Sequence, residues 1–153
     1  MSRSSIDVAK AVVAALNDPE NPDKAEFPAI EFAAALVYHP SFSRQEMEDL
    51  HVSVVPMTRR VELAGRSTTN EATAIIHIAI QKGVADRNAA DEIEPLVALS
   101  EAIQDFLVGL AVPGFRCTEA TSLHENDEAF SRWQMESLNQ FTYVMSCMFQ
   151  ESG

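Results

Sequence analysis

The chain has 153 residues, 46% hydrophobic and 22% charged, the size and balance of one globular domain with a sizeable core. Twenty-three acids against eleven bases give a net charge of −12, which disfavours a grip on nucleic acid or anionic lipid, since both need clustered Lys and Arg. No apolar run reaches the ~20 residues that span a bilayer, Asp7 and Lys10 interrupt any leader-type stretch behind Met1, and Cys117 and Cys147 make no disulfide framework, so the expectation is a soluble chain folded in a cytoplasm.

Ser4 or Ser5 caps a predicted helix from Ile6 to Leu16. Ile6, Ala9, Val13 and Leu16 recur at helical spacing, and Ser4 with Asp7 resembles a capping box. Asn17-Asp18-Pro19 ends the helix, and a loop rich in Pro, Asn and Asp runs to Pro28. Ile30, Phe32, Ala34, Leu36 and Tyr38 then share one face of a predicted strand. His39-Pro40 stops it. Ser43 with Glu46 is a second capping-box pattern, opening a short helical turn through Asp49.

Leu50 to Val55 predicts a strand that Pro56 closes or places at a sheet edge. A polar stretch of fourteen residues, Thr58 to Glu71, carries Arg59, Arg60 and Arg66. Ala72 to Lys82 is the strongest strand pattern, with Ile76, Ile78 and Ile80 on one face and Ile75, His77, Ala79 and Gln81 on the other. The two strands are expected to pair as an antiparallel hairpin. Their connection is far beyond the usual two to five residues, and loops of that length are usually functional or disordered.

After a loop from Gly83 to Ala90, Asp91 caps a long amphipathic helix with Pro95 in its first turn. Its stripe is Ile93, Leu96, Val97, Leu99, Ile103, Phe106, Leu107 and Leu110, and Pro113-Gly114 ends it. Phe115 to Ala120 suits a short strand, and His124 to Glu128 is polar. Phe141 to Phe149 is a last strand, one face carrying Phe141, Tyr143, Met145, Cys147 and Phe149. The order predicts a single α+β domain over 1–153, with a mostly antiparallel sheet, both helices packed on one face, and a long hairpin arm.

Motifs for chemistry are missing from this sequence. The glycines form no G-x-G-x-x-G or Walker loop, and neither G-x-S-x-G nor H-E-x-x-H occurs. His39, His51, His77 and His124 sit on different elements at no ligand-like spacing. The run His124 to Glu128 has the composition of a metal site but lacks the glycine turn of a calcium loop. No catalytic residue, metal or cofactor is expected. Trp133, Met135 and Phe141 belong to an apolar set that suits either core or a subunit interface. Arg59, Arg60 and Arg66 fall within eight residues and suit either a solvated hairpin tip or an interface arm. In a chain this acidic, the nearest large acidic surface is another copy of itself, and head-to-tail contacts of that kind can close into rings.

Several segments carry a resemblance. They are Tyr38-His39-Pro40, the run Glu46 to Pro56 with its L-x-V-x-V-V-P strand, Arg66-Ser67, the strand Ile75 to Lys82, and Gln140-Phe141-Thr142-Tyr143. Over most of its length the chain is similar to small tailed-phage and prophage proteins, the tail terminator and neck (tail-completion) family. It departs at Gly83, where that pattern has a second lysine.

The resemblance implies a structural virion protein and no enzyme. Six copies would form a ring that caps the tail tube and joins it to the head, assembled in the host cytoplasm, with no membrane involved. Partners would be further copies of itself, the tail tube protein, the sheath as a further candidate, and the head-completion or adaptor protein. DNA would pass through the lumen without specific binding, eased by like charge. Arg59, Arg60 and Arg66 would form an inter-subunit or inter-ring arm. A head–tail adaptor or tail-assembly role fits the same resemblance. The residues alone leave open a small ligand-binding or enzymatic domain using His51, His77 and the acids around His124.

Overall fold

Ser4 starts the first helix, its Oγ accepting the Ile6 N–H at 3.1 Å. The computed structural model describes residues 4–24, 27–40, 42–43, 45–63, 70–85, 90–123 and 140–151. Its main elements are α1 (Ser5–Asn17), β1 (Ala34–Leu36), β2 (His51–Leu63), β3 (Asn70–Gly83), α2 (Ala90–Leu107), β4 (Ala111–Val112), β5 (Phe115–Ser122) and β6 (Gln140–Glu151). The strands form one six-stranded sheet in the order β1-β2-β3-β6-β5-β4, antiparallel except for β1 with β2. This is the α+β class that the sequence predicts.

Period-two alternation decides which face the helices cover, while Ser53, Val55, Ala79 and Gln81 are buried on the opposite face. Ile76, Ile78 and Ile80 on β3 are wholly buried, each contributing roughly 1.5–3 kcal/mol of transfer free energy. Across the ladder they meet Pro56, Val54 and Val52 on β2 and Cys147, Met145 and Tyr143 on β6. Helix α1 lays Val8, Val12 and Leu16 on this face, and α2 adds Leu99, Ile103 and Leu107, so both helices share a single core.

The segment after α1 departs from its predicted strand. Only Ala34 to Leu36 pair with β2, because β2 begins at His51 and supplies partners from Val52 to Val54 alone. Residues 30–33 are held instead by side chains. Phe27 meets Phe106 edge-on at 5.6 Å and stacks with Phe32 at 6.2 Å. Asn17, the last residue of α1, closes the edge: its amide donates to the Ala34 carbonyl at 2.9 Å and accepts the Ala34 N–H at 2.8 Å. Lys24 Nζ donates to the Leu16 and Asp18 carbonyls at 2.6 and 3.2 Å, satisfying the helix C-terminus.

The second capping box forms as expected. Ser43 N–H donates to Glu46 Oε1 at 2.9 Å and Glu46 N–H donates to Ser43 Oγ at 3.2 Å. The backbone hydrogen bond from Ser43, helped by its hydroxyl, holds the Glu46 carboxyl below its ordinary pKa. The turn at Glu46–Glu48 puts buried Met47 against Gly83. Gly83 shares the β3 face of Ala79 and Gln81, which the helices do not cover.

Two boundaries shift. Helix α2 ends at Leu107, ahead of the predicted Pro113-Gly114 stop, because Gly109 at φ +90 turns the chain and donates its N–H to the Cys117 carbonyl at 2.9 Å. Pro113-Gly114, with Gly114 at φ 84, instead makes the tight turn between β4 and β5, a hairpin the sequence reading missed. Pro95 lies in the second turn of α2 rather than the first, because the helix already starts at Ala90.

Candidate functional site

The largest departure from expectation is the connection carrying the arginines. Pro56 does not close β2. The strand absorbs it at a bulge, where Met57 stands extra between the pairs Pro56 with Ile76 and Thr58 with Ile75. Pairing then continues through Arg59 with Ala74, Arg60 with Thr73, Val61 with Ala72 and Leu63 with Asn70. Most of the fourteen-residue loop is thus a strand ladder. Polar residues spaced for neither core face hid it, since every side chain from Met57 to Leu63 is exposed.

The ladder makes an arm. Strand β6 pairs with β3 only from Thr73 onward, and β1 pairs with β2 only as far as Val54. Beyond those points the arm is a two-stranded ribbon among the described residues. Such a ribbon is marginally stable alone in water, and its open edges are templates for further pairing. At its base Ala72 N–H donates to Glu151 Oε1 at 3.3 Å.

The register sorts the side chains of the arm. Arg59, Val61 and Leu63 share the face of Ala72 and Ala74, the same face as the core farther along the sheet. Val61 is 39% and Leu63 69% exposed. Arg60 and Glu62 lie on the other face and pair at 3.3 Å with both side chains mostly in solvent, a contact of little energetic weight. Arg66 lies outside the described residues.

The second set of expected interface residues divides differently. Phe141 is buried in the core cluster, 4% exposed, so within this chain it serves packing. Trp133 and Met135 lie outside the described residues, as does the run His124 to Glu128.

His51 and His77 do not converge. His51 stacks on Phe42 with centroids 3.9 Å apart and donates from Nε2 to the Glu46 carbonyl at 2.7 Å. His77 stands opposite Val55 and Ser146. Four residues of β3 separate it from Gln81, the partner of His51, roughly 13 Å along the strand. Burial lowers the His77 pKa from its ordinary value. Gln81 Oε1 is buried with no hydrogen-bond partner among the described residues, and nothing in the structure explains it.

Among the described residues no three His, Cys, Asp or Glu side chains are grouped to hold a metal ion, and no helix is long and apolar enough to cross a membrane. The arm is therefore the feature on which a functional reading rests. No family model matches the chain, and no curated protein matches it either.

Proposed function

We propose that the chain is a structural subunit of a tailed-phage virion, a tail terminator that assembles into a ring, caps the tail tube and joins it to the head. The observation that carries this reading is the arm. It projects past the end of β6 as a two-stranded ribbon of 61–63 with 70–72, with Val61 and Leu63 on one face and Arg59 on that face at its base. A soluble domain gains nothing by holding such a ribbon in water. A subunit of an assembly gains a reach to its neighbour. The motif resemblance points to the same assignment from residues of β2, β3 and β6 that lie outside the arm.

The net charge of −12 fits this role. DNA moving through an acidic ring finds no cation cluster to displace its counterions, so it slides without being held.

Removing the gene from the phage or prophage that carries it tests the reading. Electron micrographs of the lysate are expected to show tails of uncontrolled length and heads without tails. Tails of normal length that fail to join heads would assign the chain to a head–tail adaptor instead. Normal virions would overturn the proposal.

A further inference from the structure

The arm has a counterpart at the other end of its own strands. Where β2 begins and β3 ends, a cleft of about 380 Å³ opens between the turn that precedes β2 and the start of α2. Its floor is apolar, from Ile30, Leu50, Val84 and Leu96. Its rim is acidic: Glu31, Glu48 and Asp49 on one side, Asp91 and Glu92 in the first turn of α2 on the other. Lys82 is the one base among its described lining residues.

We propose that the face Arg59-Val61-Leu63 of one copy docks in this cleft of a second copy. The inference rests on the reading of the chain as a ring subunit and names the surface that receives the arm. Three observations carry it. First, the chemistry matches: the arm face offers one cation and two exposed aliphatic side chains, with Glu151 confined to its base, and the cleft offers an apolar floor inside an acidic rim. Val61 and Leu63 stand two residues apart, roughly 7 Å, so both can enter one cleft. Second, the arm cannot reach its own cleft. The thirteen residues of β2 separate them by roughly 40 Å, and the strand between is rigidly laddered. The partner must be another molecule. Third, arm and cleft are different patches, so the contact is heterologous. Contacts of that kind propagate head to tail and close into a ring when the rotation allows it.

Charge exchange between arm and cleft tests the contact. The arm variant is Arg59→Glu and the cleft variant is Glu48→Lys with Asp49→Lys. All three positions are exposed, and circular dichroism checks that both variants fold. Sedimentation velocity of the wild-type chain is expected to show self-association that weakens with added salt. Each variant alone is expected to associate at least tenfold more weakly, because Arg59→Glu sets like charges against each other and the cleft variant, with three acids left against three lysines, loses its attraction for Arg59. An equimolar mixture is expected to regain pairwise association, since the Arg59 arm of the cleft variant then finds the unaltered acidic cleft of the arm variant. If the cleft variant misfolds, Glu31→Lys with Asp91→Lys takes its place.

A wild-type chain that stays monomeric up to millimolar concentration would overturn the proposal. So would variants that associate like wild type, or folded variants whose mixture remains monomeric. Self-association without recovery in the mixture would remove this cleft as the receptor and leave the ring-subunit reading intact. Normal virions from the gene deletion would remove the phage reading and leave the contact between copies measurable.

Discussion

Tyr143 donates its phenolic hydrogen to Gln104 Oε1 at 2.7 Å, and Gln104 Nε2 donates in turn to the Ala120 carbonyl at 2.8 Å. One relay therefore ties β6, α2 and β5 together at the edge of the core. Burial raises the Tyr143 pKa above its ordinary value, the acids Glu101 and Asp105 add to the rise, and a hydrogen bond with Ser122 opposes it. A phenol with a raised folded-state pKa keeps its proton longer in the folded chain. Its stabilisation is complete below the unfolded pKa and is lost as pH rises through the folded one. Tyr143→Phe is expected to lower stability by about 1–3 kcal/mol at pH 7, since the Gln104 acceptor is left without its donor. The variant is also expected to lose less stability than wild type above pH 10. Urea unfolding at pH 7 and pH 10.5 checks both.

Gly83 shows what a close approach demands. A Cβ added there would lie 3.0 Å from the Met47 carbonyl oxygen, a backbone atom that can yield only if the whole 46–48 turn shifts. Gly83→Ala is expected to destabilise the fold by about 1–3 kcal/mol, the range for forcing an atom into a packed site. Gly83→Lys, which restores the residue of the phage pattern, is expected to be no milder. Thermal melts of both variants measure this. A variant as stable as wild type would mean that the turn moves freely, and the departure from the pattern would then carry no structural weight.

The sequence was legible where burial follows a period. Ile76, Ile78 and Ile80 announced β3, the stripe from Leu96 to Leu107 announced α2, and Ser43 with Glu46 announced a capped turn. It misled where backbone pairing runs without burial. From Thr58 to Leu63 no side chain enters the core, so no alternation records the ladder, and Pro56 looked like an end because the bulge that accommodates it has no residue signature. The cluster of arginines pointed to the arm. The acidic cleft was invisible, since Glu31, Asp49 and Asp91 come from three separate segments that only the fold brings together.

His77 is expected to make the fold acid-sensitive. It is half-buried in the middle of β3, and burial depresses its pKa. The folded chain thus prefers the neutral ring. The associated stability is present above the unfolded value near 6.5 and is lost as pH falls through the depressed folded value. The Glu46 carboxyl, also depressed, acts in a separate window, below its ordinary 4.5. Guanidinium unfolding midpoints at pH 7.5 and 5.0 are expected to differ clearly for wild type and much less for His77→Val, which suits the strand and carries no proton. Equal slopes for the two chains would clear His77 of the effect.

Cys117 and Cys147 sit on neighbouring strands, Cys117 beside the bulge that precedes Glu119 and Cys147 opposite Ala120. Both are free and buried in the core cluster. Their side chains hydrogen-bond each other, and that bond together with burial drives the Cys147 pKa far above the ordinary thiol value. The same bond lowers the Cys117 pKa, so burial, which leaves both sulfurs at most 1% exposed, is what shields the pair from reagents. Native protein at pH 8 is therefore expected to resist an aromatic disulfide reagent for hours, and both thiols are expected to react at once in denaturant. Cys147→Ala is expected to lower stability by about 1–2 kcal/mol through the lost contacts and the small cavity left behind. Rapid labelling of the native chain would show instead that β5 and β6 part readily. In that case the core beneath them, including Met145 and Phe149, would open on the same timescale and be visible by hydrogen exchange.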